Sequence, residues 1–192
     1  MKLNLGSGPE QGSNGWTNID LGGGADLAID LTLGIPFEDN SVSQIYTSHF
    51  LEHLSYDQIN PLLLECHRVL KPGASMLICV PDSEAFIRAY ANNEYSDMAM
   101  TNGTILRAPS FISKPGERVY AKALVNTNSR IDWINYIAYS ANEHKYMFDR
   151  ENLSNHLKIS GFANIQEREY DSELDKNYGK NASLFFAATK QS

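Results

Sequence analysis

The sequence predicts an α/β fold with a mostly parallel sheet and one antiparallel strand near its end. Strand-like runs alternate with helical runs, which is typical of a parallel sheet covered by helices. Residues 75–80, SMLICV, are almost continuously apolar, as in a central strand buried on both faces. The last two strand patterns, residues 163–170 and 183–190, are joined by a polar loop without a helix. One of them is therefore predicted to run antiparallel.

Apolar spacing and capping residues predict the remaining elements. One helix is predicted to follow Asn60 as its cap, with Pro61 in its first position and a stop at residues 71–73, Lys-Pro-Gly. A second clear helix begins at Asp149 and ends at Gly161. The weaker patterns are strands at 2–5, 16–20, 26–30 and 42–47 and a helix at 83–97.

Residues 98–145 are irregular and rich in aromatic side chains. They are predicted to be an insertion that covers the substrate, within a single domain spanning residues 1–192. Loops on a rigid scaffold often carry specificity, so Trp133 and Tyr136 are candidate substrate contacts. The alternative is that these rings form the buried face of a short helix, because residues 130–141 have helical apolar spacing.

Composition limits the classes of protein to which the chain can belong. A net charge of −7 argues against a general nucleic-acid binder. No apolar run is long enough for a membrane span, and the first residues do not resemble a signal peptide. Cys66 and Cys79 lie in apolar patterns and are expected to be buried and reduced. We therefore expect a cytoplasmic domain that acts on a small molecule, with its oligomeric state left open.

A Gly-Ser-Gly sequence directly follows the first strand. Ligands of open α/β sheets bind beyond the carboxyl ends of the strands, where Gly6 and Gly8 allow close approach of the backbone. Gln11 replaces the third glycine of a dinucleotide fingerprint, and no P-loop is present, so a smaller nucleoside-type ligand is predicted. Asp20 is suited to ribose hydroxyls and Asp30 to an adenine amino group. The alternative for each aspartate is a solvated turn residue.

Eight segments resemble, in order, class I S-adenosylmethionine-dependent methyltransferases, and the short type 11 group in particular. They are LNLGSG, GWTNID, AIDL, IPFEDNSV, YTSHFLEHL, ECHRVLKPGA, LICVPD and HKYMFDRENL, the last followed by SGF. The resemblance covers about residues 2–90 and 144–190. It implies a Rossmann-like sheet of seven strands with the last antiparallel, S-adenosyl-L-methionine as cofactor, and O- or N-methylation of a sugar-like or natural-product-like small molecule. The alternative is a non-catalytic cofactor-binding or interaction domain, because fold does not determine activity.

The resemblance also implies which residues hold the cofactor. The loop of residues 6–8 would hold the methionine part and Asp20 the ribose, while Asp30 lies by the adenine. Asn4 stands where many relatives have an acid, and the first helix is curtailed. The full implied set is Asn4, Gly6, Ser7, Gly8, Asp20, Leu21, Asp30, Leu31, Ser48 and His49.

Two histidines are the candidate catalytic residues, because histidine is the side chain best suited to accept a proton near neutral pH. His49 follows the fourth strand, and the resemblance places His144 at the mouth of the active site. Asp82, at the end of the fifth strand, is predicted either to contact substrate or to turn the chain. His53 is predicted to brace the neighbouring helix. No metal site is predicted, because HFLEH differs from His-Glu-x-x-His and no third ligand is identifiable.

Overall fold

The computed structural model describes residues 1–9, 15–99, 105–112, 127–175 and 180–191. The strands are β1 (Lys2–Leu5), β2 (Trp16–Asp20), β3 (Leu27–Ala28), β4 (Val42–Ser48), β5 (Leu70–Pro81), β6 (Tyr95–Ala99), β7 (Ile105–Pro109), β8 (Phe162–Glu167) and β9 (Ser183–Lys190). The helices are α1 (Tyr56–Val69), α2 (Ser83–Asn92), α3 (Ile131–Tyr139) and α4 (Arg150–Ile159).

The main sheet has seven strands in the order β3-β2-β1-β4-β5-β9-β8. Strands β1 to β5 pair in parallel, whereas β9 runs antiparallel to both of its neighbours. The predicted fold class is therefore confirmed. The strand order reverses direction at β1 and β4, so the loops that follow these two strands meet at the edge where ligands of such sheets bind.

The main core lies between the sheet and helices α1 and α4. Apolar side chains at helical spacing on both helices are fully buried against the strands: Leu62, Leu63, Cys66, Val69, Leu153 and Leu157. Cys66 and Cys79 are both buried and free, as the sequence predicts. This packing makes the strand ends a rigid base for the loops that follow them.

The start of α1 differs from its predicted position. The helix begins at Tyr56, before Asn60, and Pro61 lies inside it. Ser55 is the N-cap, and the Gln58 side chain accepts a hydrogen bond from the Ser55 backbone N–H at 3.0 Å. This is the return bond of a capping box, which here closes the first turn ahead of the proline. The predicted end before residues 71–73 is correct, as are the predicted cap and end of α4.

Between β5 and α4 the chain builds a second, smaller unit. Strands β6 and β7 form an antiparallel hairpin, and α2 and α3 pack together beside it. Its apolar core is formed by Phe86, Leu106, Ala108, Trp133 and Ile137. The described part of residues 98–145 is thus more regular than predicted, while residues 100–104 and 113–126 of that segment lie outside the described residues. The assignment to one domain and the covering role of this unit stay predictions.

Two further expectations concern the ends of the fold. Residues 10–14 of the predicted curtailed first helix lie outside the described residues. Among the described helices, none combines the length and apolar character that a membrane crossing requires.

Candidate active site

The loop after β1 turns sharply at two glycines. Gly6 and Gly8 have φ angles of +67° and +69°, the left-handed region that favours glycine. The backbone N–H of Gly6 donates to the Ile19 carbonyl at 2.8 Å, which fixes the loop against β2. A Cβ at Gly6 would overlap the ring of Phe50, whereas a Cβ at Gly8 would meet no heavy atom of the described residues within 4 Å. Gly6 is thus required by packing, and Gly8 borders open space at the carboxyl ends of the strands.

Asp20 connects the loops after β1 and β2. One carboxylate oxygen accepts from the Gly8 N–H at 2.9 Å, and the other accepts from the Gly22 N–H at 2.9 Å. A carboxylate has about four lone-pair positions, so two bonds leave capacity for the hydroxyls of a ribose. The neighbouring Leu21 is 72% exposed at the same edge. The glycine loop and Asp20, predicted to hold two parts of one ligand, are therefore in direct contact.

The other implied cofactor residues have local partners. The Asn4 amide donates to the Asn18 side-chain oxygen at 2.8 Å, across the pairing of β1 with β2. The Asp30 carboxylate accepts from the hydroxyl and the backbone N–H of Thr32, and these bonds lower the pKa of Asp30. Leu31 is buried in the main core, so only its backbone can face a ligand.

At the end of β4, His49 occupies a left-handed backbone position with a φ of +51°. Its Nε2 lies 2.9 Å from the Ser183 hydroxyl, and its Nδ1 lies 3.3 Å from Oε1 of Glu52. Burial by itself lowers the pKa of His49, but contacts with Cys79 and Glu52 outweigh it and raise that pKa to about 10. His49 is thus a cation that faces a carboxylate, and the preceding Ser48 is half-buried.

Glu52 lies at the centre of this part of the site, although the sequence analysis did not select it as a site residue. It is 1% exposed, and neither carboxylate oxygen has a hydrogen-bond partner among the residues that the structure describes. Its carbonyl accepts from the N–H groups of Lys145 and Tyr146 at 2.8 and 3.2 Å. These backbone bonds bring His144 to Glu52, with its Nε2 4.0 Å from Oε1. No local sequence signal connects positions so far apart in the chain.

His144 and His53 complete the group. The Nδ1 of His144 lies 2.8 Å from the Ile137 carbonyl, and burial lowers the pKa of His144. His53 lies in a 3-10 turn before α1, with its Nδ1 3.0 Å from the Glu143 carbonyl. The two rings meet edge to face at 5.0 Å. His49 and His144, the two predicted catalytic residues, therefore both face Glu52, and His53 joins His144.

The three predicted substrate residues are placed differently. Asp82 caps α2 by accepting from the Ala85 N–H at 3.0 Å and pairs with Arg150 at 3.0 Å. Trp133 is 1% exposed on the buried face of α3, which favours the alternative of a buried helix face, and the substrate contacts of both residues stay predictions. Its indole N–H donates to the Arg107 carbonyl at 2.8 Å. Tyr136 packs edge to face on Trp133 and is only partly buried.

Comparison with known proteins links this geometry to a family. Residues 24–78 match the family model Methyltransf_11, a methyltransferase domain. No curated protein matches the chain by sequence. A solved S-adenosylmethionine-dependent methyltransferase from Mesorhizobium loti has a TM-score of 0.55 and 15% identity, over 98% of this chain and 90% of that chain.

Two structures with S-adenosylhomocysteine also share the fold. Phosphoethanolamine N-methyltransferase 2 of Haemonchus contortus has a TM-score of 0.54 and 15% identity, over 100% of this chain and 48% of that chain. The 1,6-didemethyltoxoflavin-N1-methyltransferase of Burkholderia thailandensis has a TM-score of 0.53 and 12% identity, over 100% of this chain and 71% of that chain.

The residues at the sheet edge fit the cofactor of this family. Gly8 leaves room beside its backbone, and Asp20 retains acceptor capacity for a ribose. The family match supports the same ligand, S-adenosyl-L-methionine. The chain thus has the sheet order of the class I methyltransferase fold, and residues 24–78 resemble the methyltransferase domain of the type 11 group.

Proposed function

We propose that the protein transfers the methyl group of S-adenosyl-L-methionine to a hydroxyl or amine of a small molecule held beside His49 and His144. The observation that carries this proposal is the arrangement at the end of β4. Phe50 packs on the glycine loop, and the next residues bring Glu52 and His144 together. The glycine loop and the polar group around Glu52 are thus neighbours in space, with Phe50 between them.

The similar structures support the acceptor class. The Haemonchus enzyme was solved with phosphomonomethylethanolamine, and the Burkholderia enzyme with 1,6-didemethyltoxoflavin, both small molecules. The net charge of −7 also disfavours a nucleic-acid acceptor. The buried, free Cys66 and Cys79 agree with our expectation of a reducing, cytoplasmic location.

The chain's residues would act mainly by positioning. The bound cofactor supplies an activated methyl group on a sulfonium. Residues 6–8 and Asp20 hold it on the switch point of the sheet. Fixing an acceptor in line with such a donor provides effective molarities of roughly 10⁵–10⁸ M. Water exclusion would come from the unit built on α2 and α3, the proposed substrate cover.

The two histidines offer different chemistry to an acceptor. His49 carries a positive charge, because its pKa is raised to about 10 by contacts that outweigh burial, so it can donate or stabilise negative charge. His144 is neutral, because burial lowers its pKa, and its Nδ1 faces a carbonyl that can only accept. The lone pair of His144 is therefore on Nε2, which faces Glu52. We propose that this atom, rather than His49, accepts the acceptor's proton or otherwise binds the acceptor.

The proposal is tested by methyl transfer from labelled S-adenosyl-L-methionine across a panel of small hydroxyl and amine compounds. We expect transfer to at least one class, with none to RNA, DNA or protein. Calorimetry with S-adenosylhomocysteine measures cofactor binding separately. Binding without transfer to any acceptor would favour the alternative of a non-catalytic cofactor-binding domain.

A further inference from the structure

Three side chains from two distant segments converge in front of β4. Glu52, His53 and His144 each offer one ligand atom, and these atoms all lie within 4.8 Å of one another. Ligands of a four-coordinate zinc ion at 2.0–2.2 Å are about 3.3–3.5 Å apart, so binding would draw the three atoms together by roughly 1–1.5 Å.

Backbone carbonyls orient both imidazoles for metal binding. The Nδ1 of His53 faces the Glu143 carbonyl at 3.0 Å, and the Nδ1 of His144 faces the Ile137 carbonyl at 2.8 Å. A carbonyl only accepts, so each Nδ1 carries the hydrogen and each Nε2 carries the lone pair. A histidine that binds a metal usually donates its other ring N–H to such an acceptor.

Glu52 supplies the negative charge of the group. Its side chain is 2% exposed, and within the described part of the chain both carboxylate oxygens are buried without a hydrogen-bond partner. A buried carboxylate without hydrogen bonds is unfavourable unless a cation compensates it. His49 contributes part of this compensation, because its Nδ1 lies 3.3 Å from Oε1. When an ion is bound, His49 would not be a ligand itself but would orient the carboxylate that is one.

We propose that Glu52, His53 and His144 form a binding site for a divalent first-row transition-metal ion. Two imidazoles with one carboxylate suit zinc, iron or cobalt, whereas magnesium and calcium prefer oxygen ligands alone. Two of the ligands are neighbours in the sequence and the third lies at the end of the insertion. This spacing explains why the local sequence does not reveal the site.

The metal site also indicates which acceptor the enzyme would use. This inference rests on the methyl-transfer function proposed above. Three protein ligands leave open coordination positions on a first-row ion. An oxygen atom of the acceptor, a hydroxyl in particular, is the group that such an ion would hold. With the ion bound, Nε2 of His144 would be a metal ligand and would bind the acceptor through the ion instead of taking its proton. The metal-bound hydroxyl would be more acidic than a free one and would release its proton to water.

The test measures metal binding directly, on full-length protein without a histidine tag that has been dialysed against a chelator. Titration with Co²⁺ is followed by visible absorption, and titration with Zn²⁺ by calorimetry. We expect one ion per chain, and a Kd at least about 10-fold higher in His53→Ala and His144→Ala. His67→Gln is the matched control, since His67 packs on Phe162 away from the site, and it should bind like the parent.

Thermal melting extends the test to variants with weakened folding. Saturating Zn²⁺ should raise the Tm of the parent and of His67→Gln, but not that of His144→Ala, because only an ion bound to the native state stabilises it. No binding by the parent, or equal binding by all the histidine variants, would overturn the site. The metal titrations and melting curves need neither cofactor nor acceptor, so they test the metal site alone. Calorimetry with S-adenosylhomocysteine tests the proposed function separately.

Discussion

The Asp20 carboxylate accepts a hydrogen bond from the backbone N–H of Gly8 at 2.9 Å, so the last residue of β2 holds the loop that follows β1. The same carboxylate also holds the Gly22 N–H, in the loop after β2. One side chain therefore fixes two loops at the edge of the sheet where we propose that the cofactor binds. Its removal should affect both loop geometry and ribose recognition.

Asp20→Ala is expected to weaken binding of S-adenosylhomocysteine by roughly 10- to 100-fold, the loss of charged hydrogen bonds. Titration calorimetry measures the affinity, and circular dichroism checks the fold. Asp39→Ala is the matched control, because Asp39 is an exposed carboxylate that pairs with Arg68 before β4 begins. Equal affinities for the two variants would show that Asp20 does not bind the cofactor.

Gly6 and Gly8 should respond differently to the same substitution. Gly6→Ala places a Cβ into the ring of Phe50 at a positive φ, so we expect the free energy of unfolding to fall by about 2–5 kcal/mol. Gly8→Ala meets no atom of the described residues within 4 Å and should lose only about 1–2 kcal/mol from its positive φ.

Cofactor affinity is the second measurement on this pair. Gly8→Ala should weaken binding of S-adenosylhomocysteine, because its Cβ enters the space beside the loop. Adding Phe50→Ala to Gly6→Ala should restore part of the lost stability, which urea unfolding measures. A Gly8→Ala variant that binds like the parent would place the cofactor elsewhere.

Arg68 explains why two of the recognised segments occur together. Its guanidinium donates to the carbonyls of Ile35 and Phe37 and to the Asp39 carboxylate, all at 2.7–2.8 Å. The segment HRVLKPG thus holds the segment IPFEDNSV in place before β4. Both segments were recognised in the sequence by their order along the chain. The contact between them could not be predicted in the same way, because it depends on how α1 packs on the sheet.

The strands were predictable because their apolar runs are local, as in β1, β2 and β9. The start of α1 was not, because Pro61 has the appearance of a first helical residue and masks the capping pair of Ser55 and Gln58. The group around Glu52 was only partly predictable. His49 and His144 were predicted to act together on one acceptor, but their shared contact with Glu52 was not. That contact depends on backbone bonds between Glu52 and the distant residues Lys145 and Tyr146.

Acid should weaken the contact between Glu65 and Arg68. The hydrogen bonds from Arg68, opposed by burial and aided by the Ile35 N–H, lower the pKa of Glu65 to about 2. Because the pKa of Glu65 is lower in the folded protein than in the unfolded chain, the ionised carboxylate stabilises the fold. This stabilisation is complete above pH 4.5, the pKa of the unfolded chain, and is lost as the pH falls through about 2, the pKa in the folded protein.

Glu65→Gln should therefore lower the free energy of unfolding by about 1 kcal/mol at pH 7, a modest amount because solvent screens a side chain that is partly exposed. The difference in the free energy of unfolding between this variant and the parent should become smaller as the pH falls from about 5 towards 2. Urea unfolding at several pH values measures it. Glu38→Gln, an exposed carboxylate in the neighbouring loop, should differ little from the parent at any pH.

Trp133 is expected to stabilise the insertion rather than to bind substrate. Trp133→Ala should lower stability by about 3–5 kcal/mol, because a fully buried indole is replaced by a cavity. Affinity for S-adenosylhomocysteine should stay within about twofold of the parent, since the loops of residues 6–8 and Asp20 lie on a different core. Tyr136→Phe, at a partly buried ring, is the comparison. Loss of cofactor binding in folded Trp133→Ala would contradict this separation of roles.

Loss of His144 should mainly lower the rate of methyl transfer, whereas loss of His49 should lower both the rate and the stability of the fold. The Nε2 of His144 carries a lone pair beside Glu52, so His144→Ala should lower methyl transfer by roughly 10²–10⁴-fold and leave cofactor affinity nearly unchanged. His49 is instead the positive partner of a buried carboxylate. His49→Gln should therefore lower the Tm as well as the rate, because a buried charge that loses its partner destabilises the fold. Turnover per folded molecule and thermal melting, measured on both variants with His67→Gln as control, distinguish these outcomes. Near-full turnover in both would mean that positioning of the acceptor alone supports catalysis and that neither histidine takes part.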